Sequence, residues 1–227
     1  MTDYLPTGVS CLDRILDGGF PLGQLTLIYG AAKTGKTTLL LQAAINTASR
    51  FKVLYIDSDG TFNVNRFRQI SDAEATVIGQ NILIFNPEDF RAQTSIIESL
   101  ENYVTPSTRM VAVDSMVTLY RVGSDAMRLR FNRELVRQLA YLAGLAFQHN
   151  LAVLIASPVR SVFSSDPEEI EPVAKRTMFY WPKTVIRLRS TEQVGVREAL
   201  VERPLSDRAS LGCRLRLTEN GFIGDDS

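Results

Sequence analysis

The chain has 227 residues, 45% of them hydrophobic, which is enough to bury the core of one substantial α/β domain. Lys plus Arg and Asp plus Glu both number 25, so the net charge is zero and a global attraction to nucleic acid or to an anionic membrane is excluded; any DNA contact must be local. The two cysteines, Cys11 and Cys213, are too few and too separated for a metal cluster or a disulfide framework and read as reduced thiols. No apolar run approaches the ~20 residues of a membrane span, so a cytoplasmic protein without a membrane partner is expected.

Near the N-terminus a short helix is predicted over 10–16, with Ser10 as its N-cap and Gly18-Gly19 ending it. Residues 25–29 form an apolar run that reads as a buried strand, and 38–48 reads as a helix. Between them, Gly30, Ala31, Ala32, Lys33, Thr34, Gly35, Lys36 and Thr37 fill the phosphate-loop pattern GxxxxGK[ST] at a strand-to-helix turn. The glycines are expected to permit backbone torsions that turn successive amides toward an anion at the helix's positive end. This loop, with Thr38, is the expected cofactor-binding stretch. Lys36 should reach the terminal phosphates of a nucleoside triphosphate and Thr37 should bind Mg²⁺.

The strand at 53–56 ends in Asp57-Ser58-Asp59-Gly60, placing short carboxylates at the sheet edge where open parallel sheets bind ligands. The segment 62–70 carries Arg66 and Arg68, and a polar stretch separates it from another strand at 82–85. Apolar residues from Phe90 to Val104 recur at helical spacing, so 88–104 is predicted as an amphipathic helix. Residues 110–113 form an apolar strand ending in Asp114, the usual form of a carboxylate that holds water on Mg²⁺. Many strands end in Asp merely as a turn, but downstream of a complete phosphate loop the functional reading gains weight.

A linker over 120–130 leads into a long helix with Leu135, Leu139, Leu142 and Ala146 on its core face. His149, the only histidine, reads as a helix-terminal or packing residue. A strand is predicted at 151–156 and a mobile loop from Ser157 to Glu171. Strands follow at 184–189, 198–202 and 213–217, the first and last alternating apolar residues with arginines. Strand-helix alternation followed by hairpins gives an α/β fold with a mostly parallel sheet, flanking helices and an antiparallel C-terminal extension.

Taken together, the ordered motifs resemble the RecA-type recombinases, and most closely their short archaeal RadB paralogs. The resemblance rests on Thr7-Gly8, Leu12-Asp13, Gly18-Gly19-Phe20, the loop Gly30 to Thr37, the stretch from Tyr55 to Phe62, the stretch from Val111 to Ser115, Arg137-Gln138-Leu139, and the run from Arg214 to Gly221. It implies a RecA-like P-loop NTPase core over 1–227 without the helical N-terminal DNA-binding domain. It further implies an ATP-binding accessory factor of homologous recombination, partnered by a recombinase or another repair protein, with self-association left open.

The resemblance also assigns roles. Lys36 and Asp59 form the expected catalytic pair; the family usually has glutamate where Asp59 stands, and that carboxylate orients the attacking water. One methylene less displaces the water, and a misplacement of about 1 Å can cost roughly 100-fold in rate, so slow hydrolysis is expected. Ala156-Ser157 replaces the family's Asn-Gln pair that senses the γ-phosphate. By position, Arg66 would lie near the adenine, with Lys33 the weaker candidate.

Single-stranded DNA in the family lies along two loops that correspond to 121–130 and 158–181 here. Arg121, Arg128 and Arg130 in the first, and Arg160, Lys175 and Arg176 in the second, are the expected phosphate contacts, with Phe163, Tyr180 and Trp181 available for stacking. Asp166, Glu168, Glu169 and Glu171 oppose binding, so weak, salt-sensitive contact is expected. The alternative is a nucleotide-bound scaffold that neither hydrolyses ATP usefully nor binds DNA. A small-molecule kinase is disfavoured, since no lid of clustered arginines is evident.

Overall fold

Successive residues of the central strands face two different helical layers, and this alternation organises the fold. The computed structural model describes residues 4–121, 127–161, 170–204 and 212–225. Across the main sheet the strand order is β12 (Gly221–Gly224), β11 (Gly212–Thr218), β10 (Val196–Arg203), β9 (Thr184–Ser190), β3 (Gln24–Gly30), β7 (Ala152–Ser161), β6 (Thr108–Asp114), β4 (Lys52–Asp57) and β5 (Ile82–Phe85). Pairing is parallel from β9 to β5 and antiparallel from β9 to β12. A separate two-stranded ribbon joins β1 (Tyr4–Leu5) to β2 (Phe20–Pro21).

One face of the sheet is covered by α1 (Ser10–Ile15), α2 (Lys36–Ala48), α3 (Val64–Ser71) and α4 (Ala75–Gly79), and the other by α5 (Phe90–Ser99), α7 (Arg128–His149) and α8 (Lys175–Tyr180), while α6 (Thr118–Arg121) follows β6. The period-two pattern sorts the side chains. In β6, Met110 and Ala112 join the first core and Val111 and Val113 the second. Leu135, Leu139, Leu142 and Ala146 of α7 lie in the second core and are fully buried, as their spacing predicts. Local caps set the helix starts: the Asp89 carboxylate accepts from the Ala92 amide at 2.7 Å, and Asn63 Oδ1 accepts from the amides of Asn65 and Arg66.

Several boundaries differ from the sequence reading. Ser10 is the first residue of α1 rather than its cap; Val9 occupies the N-cap position. The segment 62–70 contains α3, which the pattern of the sequence alone did not assign. The predicted loop from Ser157 begins as strand, because β7 runs on to Ser161 and pairs antiparallel with β8 (Ile170–Pro172); residues 162–169, including Phe163, Asp166, Glu168 and Glu169, lie outside the described residues. The linker is shorter than predicted, with α6 ending at Arg121 and α7 beginning at Arg128.

The β11–β12 hairpin is latched to α2 through one side chain. Gln42 Nε2 donates to the carbonyls of Gly8 (3.0 Å) and Phe222 (2.9 Å), and Gln42 Oε1 accepts from the Phe222 amide (2.7 Å). Leucine at this position would fill the space but leave buried backbone groups unpaired. Gln42→Leu should therefore cost about 2–4 kcal/mol in urea denaturation, more than an exposed polar substitution.

Candidate nucleotide-binding site

The C-terminal ends of β3, β4 and β6 meet at one edge of the sheet. β3 ends in Gly30 at the start of the phosphate loop, and Asp57 of β4 lies in register with Asp114 of β6. In the loop, Gly35 has φ of +95° and Lys33 has φ of +64°, so the chain reverses through two left-handed residues before α2 begins. Gly30 is required for a different reason than torsion: a Cβ there would lie 2.2 Å from the Leu188 carbonyl oxygen. Gly35 is constrained twice, since a Cβ on it would lie 2.3 Å from the Phe222 ring. The ordinary caps are missing from α2, which has neither a capping side chain nor an acidic residue in its first turn. A 13-residue helix thus offers its N-terminal amides and dipole to an external anion.

Lys36 folds back into this loop, where its ammonium donates to the carbonyls of Gly30 (3.0 Å) and Ala31 (2.8 Å). Burial lowers its pKa, opposed by the nearby carboxylates of Asp114 and Asp59. Thr34 Oγ1 donates to the Ala31 carbonyl at 2.9 Å, closing the turn internally, and Arg197 of β10 reaches the Lys33 carbonyl at 3.4 Å.

Asp114 is almost fully buried. Burial pushes its pKa up to about 6, the hydrogen bond from Thr37 pulls it down, Asp59 pushes it up, and the Tyr55 hydroxyl, donating at 3.1 Å, pulls it down again. A buried carboxylate beside a hydroxyl, with other carboxylates near, suits a divalent cation, which would relieve the repulsion and stabilise the charged form. Thr37 and Asp114 are the residues that would hold Mg²⁺. Asp59 is drawn to the same place: its Oδ1 accepts from the amide and the hydroxyl of Ser115, each at 3.1 Å. Asp57 has another task, accepting from the Thr61 and Phe62 amides and from Asn86, which shapes the loop that carries Asp59. Tyr55 and Ser115 were missed as site residues because an aromatic inside a strand and a serine after one carry no signal of their own.

The other predicted residues are placed as follows. The Arg66 guanidinium donates to the carbonyls of Glu219 (2.6 Å) and Thr218 (3.1 Å), tying α3 to the β11–β12 turn. Ala156 and Ser157 are fully buried in β7, and the Ser157 hydroxyl donates to the Pro158 carbonyl at 2.9 Å. Arg121, Arg130, Lys175 and Arg176 are exposed; the side chains of Arg128 and Arg160 lie outside the described residues. Tyr180 is exposed and stacks edge-on against Trp181, which packs partly into the second core. His149 ends α7, with Nε2 3.4 Å from Glu101.

A Rad51 family model matches residues 3–199 of the chain. The chain belongs to the Rad51 family. Within it the chain is RadB-like: it is 38% identical over 202 residues to the DNA repair and recombination protein RadB of Thermococcus gammatolerans, covering 88% of this chain and 89% of the relative. With the protein of the same description from Thermococcus kodakarensis it shares 35% identity over 221 residues, covering 96% and 98%. A crystal structure of the RadB recombinase superposes with a TM-score of 0.85 at 33% identity, covering 98% of this chain and all of that one. The RadB-like core therefore accounts for the central sheet, the helices on both faces and the antiparallel extension. No helix among the described residues is long and apolar enough to cross a membrane.

Proposed function

We propose that this RadB-like chain acts as a single RecA-like core over 1–227, an ATP-binding accessory protein in DNA repair and homologous recombination that hydrolyses ATP slowly and contacts single-stranded DNA weakly. The observation that carries the reading is the uncapped start of α2, whose half-buried Thr37 faces the buried Asp114. The amides from Gly30 to Thr38 would hold the phosphates, Lys36 would leave the loop carbonyls for the terminal phosphate, and Arg66 would lie along the base, its guanidinium steadied by the hairpin. Bound Mg²⁺ would neutralise phosphate charge as the bond breaks. Asp59, hydrogen-bonded to Ser115, would orient the attacking water across a longer gap than a glutamate would leave. For DNA, exposed Arg121, Arg130, Lys175 and Arg176, with Arg128 and Arg160, supply charge, and a recombinase or other repair protein is the expected partner.

One observation favours a second reading, a nucleotide-bound scaffold without useful turnover. Ser157, fully buried and engaged with its neighbour's carbonyl, is poorly placed to report a phosphate to a DNA loop. Turnover of ATP with and without single-stranded DNA separates the two. Wild type should be slow and modestly stimulated by DNA, Lys36→Ala should be inactive, and Asp59→Glu should be faster by about 10- to 100-fold. Equal rates for wild type and Asp59→Glu would remove the shortened carboxylate as the cause of slow hydrolysis. The absence of any turnover or DNA stimulation would favour the scaffold.

A further inference from the structure

The two cysteines of the chain, far apart in sequence, meet where α1 packs on the β11–β12 hairpin. Cys11 lies buried on the first turn of α1, with Sγ donating to the carbonyl of Arg214 at 3.5 Å. Cys213, the residue before Arg214 on β11, is half-buried, so the Cys11 thiol rests against the strand segment that carries it. Cys11 belongs to the first apolar core and Cys213 packs against it, with Gly224 of β12 beside Cys11, where a Cβ would make only ordinary contact at 3.4 Å from its Sγ.

We propose that Cys11 and Cys213 form a disulfide site that closes the N-terminal helix onto the C-terminal hairpin when a low-molecular-weight disulfide oxidises them. Cys213 is the more accessible and reacts first: its thiolate attacks one sulfur of the small disulfide, forming a mixed disulfide and expelling one small thiolate. Cys11, as thiolate, then attacks the Cys213 sulfur, forming the protein disulfide and expelling the second small thiolate. Both electrons end on the small disulfide, and the two protons lost by the protein end on the released thiols. Burial raises the Cys213 thiol above its ordinary range, with Cys11 and Glu198 acting in the same direction and Arg14 against it, so exchange is slow at neutral pH and accelerates as pH rises. The hairpin that becomes tethered is the one whose Phe222 packs on Gly35, so the cross-link holds it against the phosphate loop whether or not ATP is hydrolysed there.

The test incubates the native full chain with oxidised glutathione near pH 8.5, then alkylates with iodoacetamide and measures intact and peptide masses. Wild type should lose about 2 Da, take up no alkylating agent and yield one peptide pair joined through Cys11 and Cys213. Its melting temperature should rise by roughly 5 °C or more, reversed by reductant. Cys11→Ser should instead retain glutathione on Cys213, because nothing resolves the mixed disulfide. Retention of glutathione by wild type, disulfide-linked dimers, or alkylation of both cysteines after treatment would each overturn the proposal.

Discussion

Replacing Gly35 with alanine should lower stability by about 2–5 kcal/mol, from left-handed backbone strain of about 1–2 kcal/mol plus overpacking of about 1–3 kcal/mol. Alanine cannot sit comfortably at φ of +95°, and its Cβ would intrude to 2.3 Å from a carbon of the Phe222 ring. That ring is buried and belongs to a hairpin fastened to α2 through Gln42, so it cannot simply swing away. The strain falls on the amides that would hold phosphate, and a loss of about 3 kcal/mol in their interaction corresponds to roughly 100-fold weaker ATP binding. Urea denaturation and a nucleotide titration of Gly35→Ala measure the two effects. In a Phe222→Leu background the collision is relieved while the torsional strain stays, so the same substitution should cost only about 1–2 kcal/mol. A Gly35→Ala protein as stable as wild type would show that the loop yields freely and would remove both expectations.

Asp114→Asn should pull stability and binding in opposite directions. The Asp114 carboxyl has a folded-state pKa of about 6, above the ordinary carboxylate value, so folding favours its protonated form. Its favourable contribution is fully present below the unfolded-state value, near pH 4, and is lost as pH rises to about 6; above that the ionised, buried carboxylate is a liability of about 2–3 kcal/mol. Asparagine keeps the shape and can still pair with Thr37 and the Tyr55 hydroxyl without the charge. In EDTA and without nucleotide, Asp114→Asn should therefore be the more stable protein at pH 7, with the advantage shrinking toward pH 4. With Mg²⁺ and ATP the order should reverse, because the charge that destabilises the empty protein is the one a cation needs. If the variant is less stable than wild type at pH 7 and the gap does not change with pH, the raised pKa is not a property of the fold.

Much of this was legible in the amino-acid order because it is local. The strand over 24–30, the turn with its two glycines and the helix after it lie within a short stretch, so apolar runs and glycine placement reveal both the element types and their junction. Asp57 and Asp114 were legible for a related reason: an apolar run ending in an acid marks a strand end, and parallel strands bring such ends to one edge. The extension of β7 past Ser157 was not legible, since it depends on pairing with β8 from beyond the intervening residues. Strand β12 is four residues long, too short to declare itself without β11 beside it.

The sequence by itself determined the phosphate-loop pattern, the longer strands and helices from β3 to α7, and the carboxylates at the strand ends, because each is written in side-chain period or spacing over a few neighbouring residues. Only the tertiary structure decided what those residues face. It gave Gly30 a backbone neighbour instead of a torsional task, took Asp57 for loop shape and left Asp59 beside Ser115, engaged Arg66 with the hairpin, and brought Cys11 to Cys213. These are contacts between segments remote in the chain, created when the sheet and its two helical layers bury their apolar faces together, and no local pattern encodes which partners that packing selects.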